Sequence, residues 1–261
     1  MESVEQWARD YIAADSIDAK LRPPPVPSAF EANPRPVRIE GPGRGRDFRI
    51  ATKGVRSTGK NALRSQERRA DLVHAFFHHE LQAAELFAWA VLAFPETPVA
   101  FRRGLLGILS DEIRHMRLYA AYLEERGFDL RAFWSRDWFW ERIPSVTSPA
   151  AFCATLGMGL EAANLDHAAR FAARFEAAGD AAAAEIERVV GKEEIPHVLF
   201  ATRWFERFTG AAPATFDVWS SHLPPPLSPL LMRGDPMDRD ARVRAGTSPE
   251  FLAELAAWSA A

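Results

Sequence analysis

"HHELQAAEL", residues 78–86, sets two histidines and two glutamates into a segment that continues as the apolar run "LFAWAVLAF" at 86–94. Burying an ionised carboxylate without a partner is costly, so these acids either face water or are neutralised by something else in the fold. The neighbours of Glu80 on a helix face are Val73, Phe76, Phe77, Ala83, Ala84 and Phe87, which turns its side chain toward an apolar face. Compensation has to come from another part of the chain.

Three further glutamates sit on apolar faces in the same way. Glu112 has Leu105, Ile108, Leu109, His115, Met116 and Tyr119 at helix-face offsets. Glu161 has Ala154, Gly157, Met158, Leu165 and Ala168, and Glu194 has Val190, Gly191, His197, Val198 and Ala201. Two of the four add a histidine one turn later, giving E-x-x-H at Glu112–His115 and Glu194–His197. Glu80 precedes Glu112 by 32 residues and Glu161 precedes Glu194 by 33, so two antiparallel hairpins of nearly equal length would bring all six groups to one level. One glutamate from each of two helices, with Glu-x-x-His from the other two, is the donor set of a carboxylate-bridged di-iron or di-manganese bundle. Four carboxylates offset two divalent cations, and each histidine adds a neutral nitrogen. The expected ligands are therefore Glu80, Glu112, His115, Glu161, Glu194 and His197, holding two iron ions, with manganese acceptable to the same donors. Glu85 is the alternative to Glu80, which the spacing favours.

Helix signals frame these residues. The first long helix runs from about 66 to Phe94, where Pro95 and Pro98 interrupt it, and the second runs from Pro98 to just before Gly127. A third starts at Ser148-Pro149 and stops at Gly179, and Asp180 caps a fourth that closes at Thr209-Gly210. The reading is all-α, a four-helix bundle over 61–212. Residues 1–60 carry a short helix within 1–20 and a Pro/Gly-rich basic arm, and 213–261 form a Pro-rich tail with one short C-terminal helix. A tryptophan-rich connector, 128–148, is expected to fold over the bundle as a lid, with its tryptophans in the core or the lid.

The helical region resembles the ferritin-like superfamily. More closely, it is similar to a family of bacterial ferritin-like domains of unassigned function, which carry H-x-E-L-x-A-x-E-L, D-E-x-R/K-H, L-E-x-x-x-L-D and E-I-x-H-V. Here these are "HHELQAAEL", "DEIRH", "LEAANLD" and "EEIPHV", followed by "RWF" at 203–205. The resemblance covers residues 60–210 and implies the bundle and the dinuclear site, but no substrate. Pro196 departs from the pattern and predicts a kink or bulge at the ligands. Asp111 resembles the aspartate that orients a histidine ligand in di-iron oxygenases, and Glu193 holds the equivalent place in the other half. Asp166, Arg114 and His167 are weaker candidates for that role. Tyr119, four residues after His115, stands at the offset of the oxidisable tyrosine in radical-generating ribonucleotide reductase subunits.

A net charge of −3 argues against a wholesale nucleic-acid or membrane binder. Residues 35–69 nonetheless hold eleven Lys or Arg against Glu40, Asp47 and Glu67, a local net of +8. The arm is expected to lie across the protein's own acidic surface, with RNA contact as the alternative. A single cysteine, Cys153, and a charged N-terminus without a signal-like apolar core point to the cytoplasm. The functional expectation is an O2-activating oxidase or hydroxylase acting on an unidentified small molecule, without membrane association and with homodimer formation open. A ferroxidase or iron-handling protein, and a non-enzymatic metal-binding bundle, are the other readings.

Overall fold

The computed structural model describes residues 2–52 and 63–259 and is all-α. Among the described residues the strands are a two-residue parallel pair, β1 (Arg49–Ile50) and β2 (Trp134–Ser135). No helix there is long and apolar enough to cross a membrane. The chain forms two compact units, residues 1–144 and 145–261.

The first unit holds α1 (Val4–Ala13), α2 (Ile17–Leu21), α3 (Gln66–Ala93) and α4 (Val99–Glu125). The expected single N-terminal helix is two, because Ser16 breaks the first and caps the second by accepting from the Ala19 N–H at 3.3 Å. Ser65 caps α3 through the Arg68 N–H, and Pro95 follows its last turn. A short connector then turns the chain into α4, so the two long helices pack as a hairpin. At 28 and 27 residues each is about 40 Å long.

The described part of the basic arm lies on this unit. Its backbone is held where Val37 donates to the Leu92 carbonyl (2.9 Å) and Gly43 to that of Ile12 (2.8 Å). The Arg38 guanidinium covers the Trp89 and Phe94 rings at 5.3 and 5.2 Å. Lys53, Arg56 and Lys60 lie outside the described residues. The connector after α4 is tied to α3 by Gln82, whose oxygen accepts from the Phe139 N–H at 2.9 Å while its amide donates to the Arg136 carbonyl at 3.3 Å. Trp140 is buried in the core, whereas Trp134 is 60% exposed and is not a core residue.

The second unit opens with α5 (Pro149–Phe152), capped by Ser148. The helix then widens into a π-helical stretch, Cys153–Glu161, and resumes as α6 (Ala162–Ala177). Sequence periodicity predicts one regular helix here; the widening is a finding of the structure. Gly157 lies so close to Ala201 that any β-carbon at that position would collide with it. The partner helix, α7 (Ala181–Thr209), starts on Asp180 and ends on Gly210, whose φ of 71° suits glycine. The helix continues through Pro196.

The tail is more helical than its prolines suggest: α8 (Phe216–Ser220), a 3₁₀ turn (Pro229–Met232), α9 (Arg239–Arg244) and α10 (Pro249–Ala257). Asp166 of α6 anchors it. Its carboxylate accepts from the N–H groups of Gly234 (2.7 Å) and Asp238 (2.8 Å) and from Arg242 through Nε (3.0 Å) and Nη2 (2.7 Å). Both side chains are buried. Asp166→Ala therefore strands the Arg242 charge, and urea denaturation should show a loss of about 3–5 kcal/mol. Adding Arg242→Met should restore a large part of it.

Candidate metal centre

In the first unit, α3 supplies Glu80 and α4 supplies Glu112 and His115. All three are buried, and each offers a donor atom within 4.8 Å of the others. His115 Nδ1 lies 3.3 Å from Glu112 Oε2 and 3.6 Å from Glu80 Oε2. Burial pushes the Glu80 carboxyl well above its ordinary range, and the neighbouring Glu112 charge pushes it further. Burial alone would lower the His115 pKa, but its hydrogen bonds to Glu112 and Glu80 outweigh it and raise the value to about 11. The two acids therefore favour the protonated form of the His115 ring.

The second unit repeats the arrangement. Glu161 closes the π-helical stretch, and α7 supplies Glu194 and His197, all buried and with donor atoms within 4.8 Å of one another. His197 Nδ1 is 3.1 Å from Glu194 Oε2, the same ring nitrogen facing the same i−3 carboxylate as in the first unit. Asn164 Nδ2 donates to Glu194 Oε1 at 3.2 Å. Sequence reasoning passed over Asn164, although it follows Glu161 by one helical turn and so shares its face.

Glu85 has a different role from Glu80. Arg44 donates to both of its oxygens (2.7 and 2.8 Å), Lys20 Nζ lies 2.8 Å away and Trp140 Nε1 donates at 2.8 Å. Burial raises the Glu85 pKa, but the Lys20 and Arg44 charges reverse this and hold the carboxyl below its ordinary range. Arg44 also grips Asp137, which in turn takes His78 Nε2 at 3.0 Å. Lys20 and Arg44 lie in irregular or short-helix sequence far from α3, so nothing in residue spacing announces them.

The remaining candidates fall as follows. Asp111 is about two-fifths exposed and pairs with Arg114 at 3.0 Å. Glu193 is half-buried on α7. Asp166 is the tail anchor described above, and burial lowers the pKa of neighbouring His167 to about 4. His74 stacks on Phe133 with centroids 4.5 Å apart, and His79 stacks on Phe139 at 5.3 Å. Tyr119 is buried on α4, its ring centroid 5.8 Å from that of Phe76.

A family profile described as "Protein of unknown function (DUF455)" matches residues 4–253. The chain belongs to the DUF455 family. That span takes in both triads together with the arm carrying Arg44 and the tail carrying Arg242, so in this DUF455 member the extensions and the helical hairpins fall within one family unit. No curated protein and no solved structure matches the chain significantly.

The two acids of α3 separate experimentally. Glu80→Gln removes a carboxyl that burial and Glu112 already disfavour as an anion, so the metal-free protein should melt at an unchanged or higher temperature. Glu85→Gln leaves Lys20 and Arg44 short of a buried counter-charge and should cost about 3–5 kcal/mol in urea denaturation. The reverse order would reassign the two residues.

Proposed function

We propose that the protein is a carboxylate-bridged dinuclear metal protein that uses two iron ions to activate O2 for the oxidation or hydroxylation of a small organic substrate, with manganese as an admissible replacement. In this reading Glu80, Glu112, His115, Glu161, Glu194 and His197 are the ligands of one centre, the helices of 61–212 form a four-helix bundle around it, and the extensions on either side brace that bundle. The observation that carries it is the duplication: two buried triads of identical composition, each a glutamate plus Glu-x-x-His with the histidine Nδ1 turned to its own glutamate.

The donor chemistry fits a pair of divalent cations. Two carboxylates and one neutral imidazole in each triad would balance one dication, and a cation entering the first triad would displace any proton on His115. Two redox-active ions, when bound, would supply the electrons that reduce O2. The chain's own residues do the rest. Glu112 and Glu194 orient the histidines, Asn164 fixes one Glu194 oxygen, and buried Leu109, Met116 and Val198 keep bulk water away. Asp111 is the proposed partner of a histidine ligand's ring N–H, a role that its partly exposed ion pair with Arg114 competes with.

Loading the metal-free protein with Fe(II) under nitrogen should give close to two equivalents by elemental analysis. Glu112→Ala and Glu194→Ala should each abolish dinuclear binding while leaving the helical circular dichroism intact, and two metals retained in either variant would refute the ligand assignment. On mixing with O2, a discrete ferric spectrum that responds to added organic substrates supports the oxidase. Steady growth of ferric mineral would instead make iron the substrate.

Tyr119 is proposed as an electron and proton donor beside the centre, since it shares the face of α4 that bears Glu112 and His115. Exposure of the ferrous protein to O2 should then give a tyrosyl electron paramagnetic resonance signal. Tyr119→Phe should keep both metals and lose that signal; its absence from the wild type would leave Tyr119 a packing residue.

A further inference from the structure

The "RWF" motif at 203–205 has no part in the triads, yet the structure gives its first two residues a place. A cavity of about 730 Å³ opens along α7, lined among others by Pro196, Phe200, Arg203, Trp204, Glu206 and Arg207. All of its lining residues lie within the second unit, and its size falls in the range of small-molecule sites.

The chemistry of the lining is selective. Phe200, Trp204 and Phe208 form an aromatic row along the helix, with successive ring centroids 6.2 and 5.5 Å apart. Trp204 is largely buried, which fixes its ring as a floor. The Arg207 guanidinium rests over that ring at 4.9 Å, which positions its charge at the aromatic surface. Arg203 stands one turn earlier on the same helix and is exposed. Among the described residues neither Arg203 nor Arg207 is paired with a carboxylate. The one acid of the lining, Glu206, is engaged by the Ala214 N–H at 3.0 Å. Two uncompensated guanidiniums beside an aromatic floor suit a ligand with a flat apolar body and an anionic end.

We propose that this cavity is a binding site for an aromatic organic anion, with Trp204 and Phe200 stacking on the ring system and Arg203 and Arg207 holding its carboxylate or phosphate. None of the six triad residues lines it, so the site stands independently of the metal reading.

Isothermal titration of the full-length, metal-free chain with 2-naphthoate, and with its neutral isostere 2-naphthamide, tests it. The carboxylate should bind with a dissociation constant below about 1 mM, and the amide about tenfold or more weakly. Arg203→Gln and Arg207→Gln should each weaken 2-naphthoate about tenfold with no change in melting temperature, because the first is exposed and neither closes a buried ion pair. Trp204→Phe, which keeps an aromatic floor, should retain most of the binding, and Trp204→Ala should lose it. Equal affinity for acid and amide, binding untouched by both arginine variants, or no binding of 2-naphthoate at millimolar concentration would each overturn the proposal. Repeating the titration with Glu194→Ala separates the two readings, since loss of metal there should leave 2-naphthoate binding in place.

Discussion

Buried negative charge on α3 is the constraint around which the first unit is built. Glu80 and Glu85 stand five residues apart on one helix and are both withdrawn from water, but the chain treats them in opposite ways. Glu85 collects Arg44, Lys20 and the Trp140 indole, and those three groups come from the arm, α2 and the connector after α4. Satisfying one carboxylate therefore fixes three otherwise irregular segments onto α3. Removing one partner of such a pair leaves a buried charge behind, which makes the contact costly to lose whatever its net contribution to stability. Glu80 receives no Lys or Arg among the described residues. It is left against Glu112 and His115, an arrangement with too little positive charge for two carboxylates.

The second unit solves the same problem with different parts. Glu161 is followed five residues later by Asp166, as Glu80 is by Glu85, and Asp166 takes Arg242 from the C-terminal tail where Glu85 takes Arg44 from the N-terminal arm. Each hairpin thus begins with a helix bearing a triad glutamate and, one and a half turns on, an acid that clasps an arginine from the nearer chain extension. The parallel extends to the E-x-x-H of the following helix. It also explains why the proline-rich ends are ordered: each is pinned through a charge that the hairpin cannot leave uncovered.

How much of this was legible in the sequence depends on the range of the interaction. The long helices announce themselves through local signals, Pro98, Ser148 and Asp180 at starts and Pro95 and Gly210 at stops, because capping is settled within four residues. The triads were legible because an E-x-x-H pair and its upstream glutamate are spaced by helix geometry. The π-helical widening at 153–161 was not: nothing in the local sequence marks it, and Gly157 within it packs against Ala201, more than forty residues away. Arg44 and Arg242 were invisible for the same reason. Nothing near Arg44 distinguishes it from the other basic residues of the arm, and its role is decided by a carboxylate on another element. Pro196, read as a kink or bulge, lies inside the continuous helix α7, a position that is compatible with a bend but not with a break.

The separation of clasp from triad divides stability from chemistry. The ion pairs that hold the extensions use the later acid on each helix, whereas Glu80 stands beside the Glu112 carboxylate, whose charge disfavours a second anion there. A chain selected for stability alone would replace Glu80 with an apolar residue and lose nothing from its core. Retaining Glu80, an acid that burial and Glu112 disfavour as an anion, within reach of a second acid and a histidine is a local conflict of the kind that folded proteins tolerate where function requires it. A cation bound among these groups would relieve the conflict, since buried carboxylates and histidines within 4.8 Å of one another could hold a metal ion.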